Sequence, residues 1–175
     1  KREYIDHYIK VDTNLDSSYD SIKFRDVTAE ELTSLDFEYQ SGIELIFWLA
    51  DLRKESIDNT DLFDGIIKSI ESINNGVKFP LAEYNNYREL ANVLGFTLGG
   101  ILKKDYDWKW KFKEIHENDY LGFVIVSPDN CTALKVEHYF YDNIMFKRDI
   151  KFKEFIESLS GSDKTSFSFY EPWMK

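Results

Sequence analysis

The sequence predicts an α+β domain with N-terminal helices packed on a small three-stranded antiparallel meander and a further helix at the C-terminus. Two observations predict this class. Apolar residues recur at helical spacing up to about residue 103, and from residue 108 they alternate with polar residues, as in a half-buried strand. With 175 residues and 43% apolar content, the chain is predicted to form a single domain, 1–175, around one core.

The first 27 residues give a mixed pattern. Ile22 and Phe24 suggest a short strand, and the segment from Asp12 to Asp20 is polar and turn-like. Before it, four apolar residues at helical spacing suggest one face of a helix: Tyr4, Ile5, Tyr8 and Ile9.

The next segment contains two helix-start signals. Thr28 and Glu31 have the spacing of a capping box, in which each residue satisfies a backbone amide of the other. They predict a short helix ending near Ser34. Ser41 is then predicted to cap a stronger, central helix that continues to about Ser56.

Two more helices are predicted, over about 60–74 and 82–103. Asn59 or Thr60 begins the first, and Asn74-Asn75-Gly76 ends it. The second contains Gly95, Gly99 and Gly100, which we interpret as sites of close backbone approach, since no phosphate-loop pattern accompanies them. The predicted core comprises Ile46, Ala50, Ile66, Ile70, Leu90, Leu94, Leu98, Trp108 and Trp110.

The meander is predicted between residues 107 and 140. Lysines alternate with the aromatic residues of its first strand, so they are expected on an exposed face or edge, away from the tryptophans. Leu121 to Val126 and Leu134 to Phe140 are the other two strands, joined by a turn at Ser127-Pro128. A last helix is predicted over 151–159, and the aromatic tail is expected to dock on the domain.

The charge is concentrated in one part of the chain. Residues 1–75 carry 17 Asp and Glu against 8 Lys and Arg, a net of −9, whereas residues 76–175 carry 15 against 14, a net of −1. An acidic chain with a pI near 4.8 is repelled by phosphate backbones and anionic lipid. A basic protein is therefore the expected partner, and nucleic acid and membrane are not.

One acidic arc contains an aromatic residue that lies off the predicted core face of its helix. Glu44, Trp48, Asp51 and Glu55 lie within about 60° of one another on a helix, so the tryptophan is surrounded by carboxylates. Trp is frequent among binding hot spots, and carboxylates attract Lys and Arg. The predicted partner-binding set is completed by three acidic residues that follow: Asp58, Asp61 and Asp64. The alternative is a solvated helix face with Trp48 covered by a terminal segment.

No pattern of a reaction centre accompanies this arc. No nucleophile motif, paired catalytic carboxylates or nucleotide loop is present, so we expect no enzyme activity and no cofactor. His7, His116 and His138 lack metal-ligand spacing, and the single Cys131 has no companion for a disulfide or a zinc site, so no metal is expected either.

The location is predicted from similar absences. No apolar run approaches the roughly 20 residues of a membrane span, and no signal peptide is visible, so a cytoplasmic location is expected. The chain begins at Lys1 without a methionine, which fits a missing or removed upstream segment.

A small, acidic, aromatic-rich chain of this kind resembles the immunity proteins of bacterial toxin systems, including contact-dependent growth inhibition. That resemblance implies tight binding to a cognate toxin, often a basic nuclease. Locally, Leu94-Gly95-x-x-Leu98-Gly99 followed by Trp108-x-Trp110, within residues 84–140, resembles a bacterial domain family of unknown function. The alternatives are a regulatory or structural subunit that binds another cytoplasmic protein, and an enzyme whose site is assembled from dispersed residues.

Overall fold

A computed structural model describes residues 2–5, 8–12, 23–50, 59–77, 87–114, 122–130, 132–137, 139–147 and 168–172. Within these ranges the fold is α+β, as predicted, with a helical layer on one face of a sheet. The helices are α1 (Ala29–Leu49), α2 (Asn59–Asn74), α3 (Tyr87–Tyr106) and α4 (Tyr141–Met145). The strands are β1 (Arg2–Ile5), β2 (Tyr8–Asp12), β3 (Lys23–Asp26), β4 (Lys109–Glu114), β5 (Gly122–Val126), β6 (Thr132–Lys135) and β7 (Ser168–Pro172).

The predicted three-stranded sheet is too small. Seven strands pair in the order β1-β2-β7-β6-β5-β4-β3, and every neighbouring pair is antiparallel except β6 and β7, which are parallel. Strand β4 lies between β3 and β5, so the sheet-edge alternative for its lysines is wrong, and the exposed-face alternative holds for Lys109 but not for the buried Lys113. The additional strands come from distant parts of the chain, and such long-range pairing leaves no local sequence pattern.

Two local predictions around the sheet are also wrong. The predicted helical face does not form: Tyr4 and Ile5 lie in strand β1 and pair with Ile9 and Tyr8 of strand β2. The strand predicted to reach Phe140 ends at Lys135 and is followed by α4. By contrast, the predicted strand near Phe24 is present as β3, and the predicted docking of the tail is confirmed by β7, which pairs with β2 and β6. The helix predicted over 151–159 lies outside the described residues.

Helix α1 is continuous where the sequence suggested two helices. Its capping box is present: the Glu31 amide donates to Thr28 Oγ1 at 3.2 Å, and the Thr28 amide donates to Glu31 Oε2 at 2.8 Å. The predicted end near Ser34 and the predicted cap at Ser41 are both wrong, because no proline or glycine interrupts residues 29–41. A buried stripe at helical spacing instead joins the two halves: Leu35, Tyr39, Gly42, Ile46 and Leu49.

The C-terminal end of α1 also differs from the prediction. The helix stops at Leu49 with Ala50 as its C-cap, before the predicted end at Ser56. Ser72 of α2 donates a hydrogen bond from its hydroxyl to the Leu49 carbonyl at 3.0 Å, which satisfies one of the carbonyl groups that a helix end leaves unpaired. The two helices are therefore fixed together near their C-terminal ends.

Glu31 also links α1 to the sheet edge. Arg25 of β3 donates two hydrogen bonds to its carboxylate, at 2.6 and 2.7 Å. The pKa of Glu31 is lowered from 4.5 to about 2, first by the bond from Arg25 and then by the bond from the Thr28 amide.

Replacing Glu31 by glutamine should produce a pH-dependent loss of stability. The carboxylate pKa is lower in the folded than in the unfolded state, so its contribution is complete above about pH 4.5 and is lost as the pH falls toward 2. The stability difference between wild type and Glu31→Gln should therefore shrink across this window. Urea unfolding at pH 6, 4 and 3 measures it, and a constant difference would contradict an ionic contribution.

Helix α2 has the predicted position, and its end follows from a glycine. Gly76 has φ of +83°, a conformation that glycine adopts without steric cost. The Gly76 amide donates to the Ile73 carbonyl at 3.0 Å, and the Val77 amide donates to the Ser72 carbonyl at 3.1 Å. This pair of bonds is a Schellman motif, which ends the helix after Asn74.

Helix α3 lies in the centre of the core. Its described part starts at Tyr87 and ends at Tyr106, three residues beyond the predicted end. Phe96 contacts the rings of Trp110 and Phe123, which places the helix on one face of the sheet. The predicted core is confirmed: Ile46, Ile66, Ile70, Leu90, Leu94, Leu98, Trp108 and Trp110 are buried, and Ala50 is partly buried.

The glycines of α3 mark close contacts, as predicted. A Cβ atom at Gly95 would lie 2.0 Å from the Val136 carbonyl oxygen, and one at Gly99 would lie 2.2 Å from the Trp110 ring. On α1, a Cβ at Gly42 would lie 1.7 Å from the Thr97 hydroxyl oxygen of α3. The absence of these side chains lets α3 approach both the segment after β6 and helix α1.

Candidate partner-binding surface

Helix α1 carries an unbalanced negative charge. Its 21 residues include five carboxylates and no lysine or arginine: Glu30, Glu31, Asp36, Glu38 and Glu44. Two of the five are paired across the fold, Glu31 with Arg25 at 2.6 Å and Asp36 with Lys103 at 2.9 Å. Within the described ranges, the other three form no ion pair. The outer side of α1 is therefore a source of negative potential toward an approaching molecule.

Two of the predicted site residues lie side by side on this helix. Glu44 is exposed, and Trp48, one helical turn further on, keeps 44% of its surface exposed. Trp48 differs in this from Trp108 and Trp110, which are 8% and 5% exposed and belong to the core. The predicted tryptophan amid carboxylates is thus accessible at the end of α1.

The remaining predicted site residues fall into three groups. Asp64 is exposed on α2, the helix joined to α1 through Ser72 and Leu49. Asp61 lies in the first turn of α2. Asp51, Glu55 and Asp58 lie outside the described residues.

The structure adds Phe37, which sequence reasoning missed. Phe37 is 70% exposed, more than any other large apolar residue within the described ranges. Because α1 is continuous, Phe37 lies on the same side of the helix as Trp48, within about 20° and about 16 Å along the axis. The seven-residue spacing of Glu30, Phe37 and Glu44 would place them on one face of a continuous helix. The helix end predicted near Ser34 excludes that interpretation.

We call this exposed row the α1 stripe. All of its members are exposed, and they lie within about 80° of one another around the helix axis. Carboxylates and aromatic rings alternate along it, with one amide. The α1 stripe comprises Glu30, Phe37, Gln40, Glu44 and Trp48, and the exposed Thr33 lies within the same arc.

A second charged group lies on the opposite face of the sheet. Lys113 and Lys135 are each only 6% exposed, although the sequence suggested exposed lysines on β4. Strand register places Lys113 opposite Gly122, and the Glu137 carboxylate lies against this glycine. Sequence reasoning missed these buried charges, because a lysine on a strand gives no local signal of burial.

The contacts of Glu137 indicate a structural role. Its Oε1 accepts a hydrogen bond from the Phe123 amide at 3.3 Å, beyond the point where β6 stops pairing with β5. Burial raises the pKa of Glu137, while the charge of Lys135 and the bond from the Phe123 amide act in the opposite direction. The carboxylate thus supplies an acceptor to a strand amide that has lost its ladder partner.

Other kinds of site find little support in the described residues. No three His, Cys, Asp or Glu side chains within them converge as a metal site would require. The three histidines and Cys131 lie outside the described ranges. Among the helices that the structure describes, none combines the length and apolar character needed to cross a bilayer.

Comparison with protein-family models, with curated proteins and with solved structures finds no match to this chain. Neither resemblance noted from the sequence gains support from these comparisons. Function must therefore be argued from the surface that α1 and α2 present.

Proposed function

We propose that this chain is a non-catalytic binding protein that neutralises a basic protein partner, acting as the cytoplasmic immunity protein of a bacterial toxin. The proposal is supported by one observation above the others. Helix α1 has five carboxylates and no basic residue, and its outer side carries the exposed Trp48 beside Glu44. Carboxylates and an accessible indole on one rigid helix are suited to binding a cationic protein surface.

The charge would act mainly before contact. Complementary potentials raise the rate at which two proteins meet, by about 10- to 1000-fold at low salt. Exposed charges are screened over about 8–10 Å at physiological ionic strength, so close ion pairs persist after docking. Trp48 would act after contact, because a central aromatic anchor mainly slows dissociation.

A nuclease is the kind of toxin that this surface fits best. Proteins that bind nucleic acid neutralise phosphates with Lys and Arg, and this basic surface is the one an inhibitor must block. The carboxylates of this chain would occupy that basic surface in place of the phosphates. The proposed contact set is Glu44, Trp48, Asp51, Glu55, Asp58, Asp61 and Asp64.

Charge reversal at Glu44 tests this function in cells. The probe is the protein encoded beside this gene, expressed under separate control. Glu44→Lys should raise the amount of this chain needed for survival by about tenfold, because a steering charge becomes repulsive. Glu89→Lys is the matched control, since it changes the net charge equally at an exposed position on α3.

Two results would contradict the proposal. Equal protection by Glu44→Lys and wild type would show that the acidic helix α1 is not part of the interface. A co-encoded protein that binds without being toxic would instead favour the regulatory-subunit alternative.

A further inference from the structure

Two exposed aromatic side chains on one helix face require an explanation. Single exposed apolar residues are common on protein surfaces and need none. Phe37 and Trp48 differ because both project from the same side of α1, about 16 Å apart, with Glu44 between them. Aromatic residues are enriched in the buried centres of protein interfaces, where they fill pockets of the partner.

The other exposed aromatic residues do not repeat this arrangement. Tyr87 and Tyr106 are half-exposed at the two ends of α3, and each carries a hydroxyl group that water can solvate. Tyr106 also contacts the ring of Phe63. Phe146, which is 61% exposed, follows the short helix α4. None of them shares a helix face with a second exposed aromatic residue in the part of the chain described.

The charge around the pair identifies the occupant. Glu30 and Glu44 are exposed on the same stripe, neither forms an ion pair within the described residues, and α1 contains no cation. A second copy of this chain would bring the same acidic face and a net charge of −10, so like charges would oppose pairing of two stripes. A partner surface with positive charge and apolar recesses complements both the carboxylates and the aromatic rings of the α1 stripe.

We propose that Phe37 and Trp48 are paired anchors that insert into two apolar recesses, about 16 Å apart, on a basic protein partner. A Lys or Arg side chain between these recesses pairs with Glu44. The inference rests on the proposed function in taking a basic protein as the partner. It adds the spacing of the recesses and extends the interface by three helical turns from Trp48 to Phe37.

Alanine substitution of each anchor tests the pair. The probe is again the purified protein encoded beside this gene, with binding followed in real time. Phe37→Ala and Trp48→Ala should each raise the dissociation rate about tenfold or more, while the association rate changes less than twofold. Phe146→Ala is the matched control, because it removes an equally large exposed ring elsewhere, and it should bind like wild type. All three variants should remain folded, which a cooperative unfolding transition of each variant checks.

A second measurement does not depend on any Phe37 variant. The difference in acrylamide quenching between wild type and Trp48→Phe isolates the Trp48 signal from that of the other tryptophans. This difference should fall when the partner binds, because Trp48 enters a recess. Unchanged quenching in a saturated complex would contradict the anchor role of Trp48.

The possible failures are distinguishable. Wild-type dissociation of Phe37→Ala, with binding that still weakens in Glu44→Lys, would overturn the paired anchors and leave the proposed function standing. A larger effect of Phe146→Ala than of Phe37→Ala would place the interface near α4. No effect of Phe37→Ala, Trp48→Ala or Glu44→Lys, or no binding by wild type, would overturn both.

Discussion

Replacing Gly95 by alanine should destabilise the protein by about 3 kcal/mol or more, at or above the upper end for overpacking a core. The added Cβ would lie 2.0 Å from the Val136 carbonyl oxygen, a distance that real Cβ atoms do not reach. The obstacle is the backbone just after β6 on one side and, on the other, the buried middle of α3, where Leu94 and Leu98 are 0% exposed. Neither the backbone at Val136 nor helix α3 can move away without loosening the packing of the core. Chemical denaturation of wild type and variant measures the difference.

Gly122→Ala is the matched control for this prediction. A Cβ at Gly122 would lie 3.0 Å from the Glu137 carboxylate, which is the end of a flexible side chain. That group can shift at the expense of its bond from the Phe123 amide, so the cost should be about 1–2 kcal/mol, less than at Gly95. Equal unfolding free energies for wild type and Gly95→Ala would show that the approach of α3 to Val136 is not tight.

Replacing Leu94 by alanine should cost about 2–5 kcal/mol, the usual range for a packed core leucine. Leu94 has no exposed surface and lies in α3, between α1 and the sheet. Its loss leaves a cavity in the buried core around α3. Urea unfolding gives the free energy directly.

Leu94→Met separates the cavity from other effects of substitution. Methionine has nearly the volume of leucine, and such exchanges usually cost less than about 1.5 kcal/mol. A cost below about 1 kcal/mol for Leu94→Ala would mean that α3 is peripheral, which would contradict the described packing.

The helical core could be predicted from sequence because its signals are local. The apolar stripe of α2 and the Gly76 ending fix that helix within a few neighbouring residues. In α3, the buried face from Leu90 to Leu98 and the contact at Gly95 follow from the same spacing. Each of these features depends on residues within one or two turns.

The extent of the sheet could not be predicted, because it depends on pairing between distant segments. Ser168–Pro172 is inserted between β2 and β6, more than 30 residues from the end of β6 along the chain. Segments of four or five residues, such as Arg2–Ile5, are too short to separate strand from helix by periodicity. Tertiary pairing decides their conformation.

The candidate surface was predicted in part. Glu44, Trp48 and Asp64 are exposed on the two helices where the sequence placed them. Phe37 is missed because the sequence predicts helix boundaries at Ser34 and Ser41. A serine inside a helix can instead donate its hydroxyl to a backbone carbonyl one turn earlier. The Ser34 hydroxyl does so, with the Glu30 carbonyl as acceptor at 3.2 Å.

The most direct test of the central claim is the association rate with the co-encoded protein at two salt concentrations. If the acidic side of α1 and α2 steers a basic partner, the rate should fall steeply as salt rises. Glu44→Lys should lower the low-salt rate and flatten this dependence, whereas Glu89→Lys should change both less. A salt-independent rate, with wild-type kinetics in Glu44→Lys, would contradict the account.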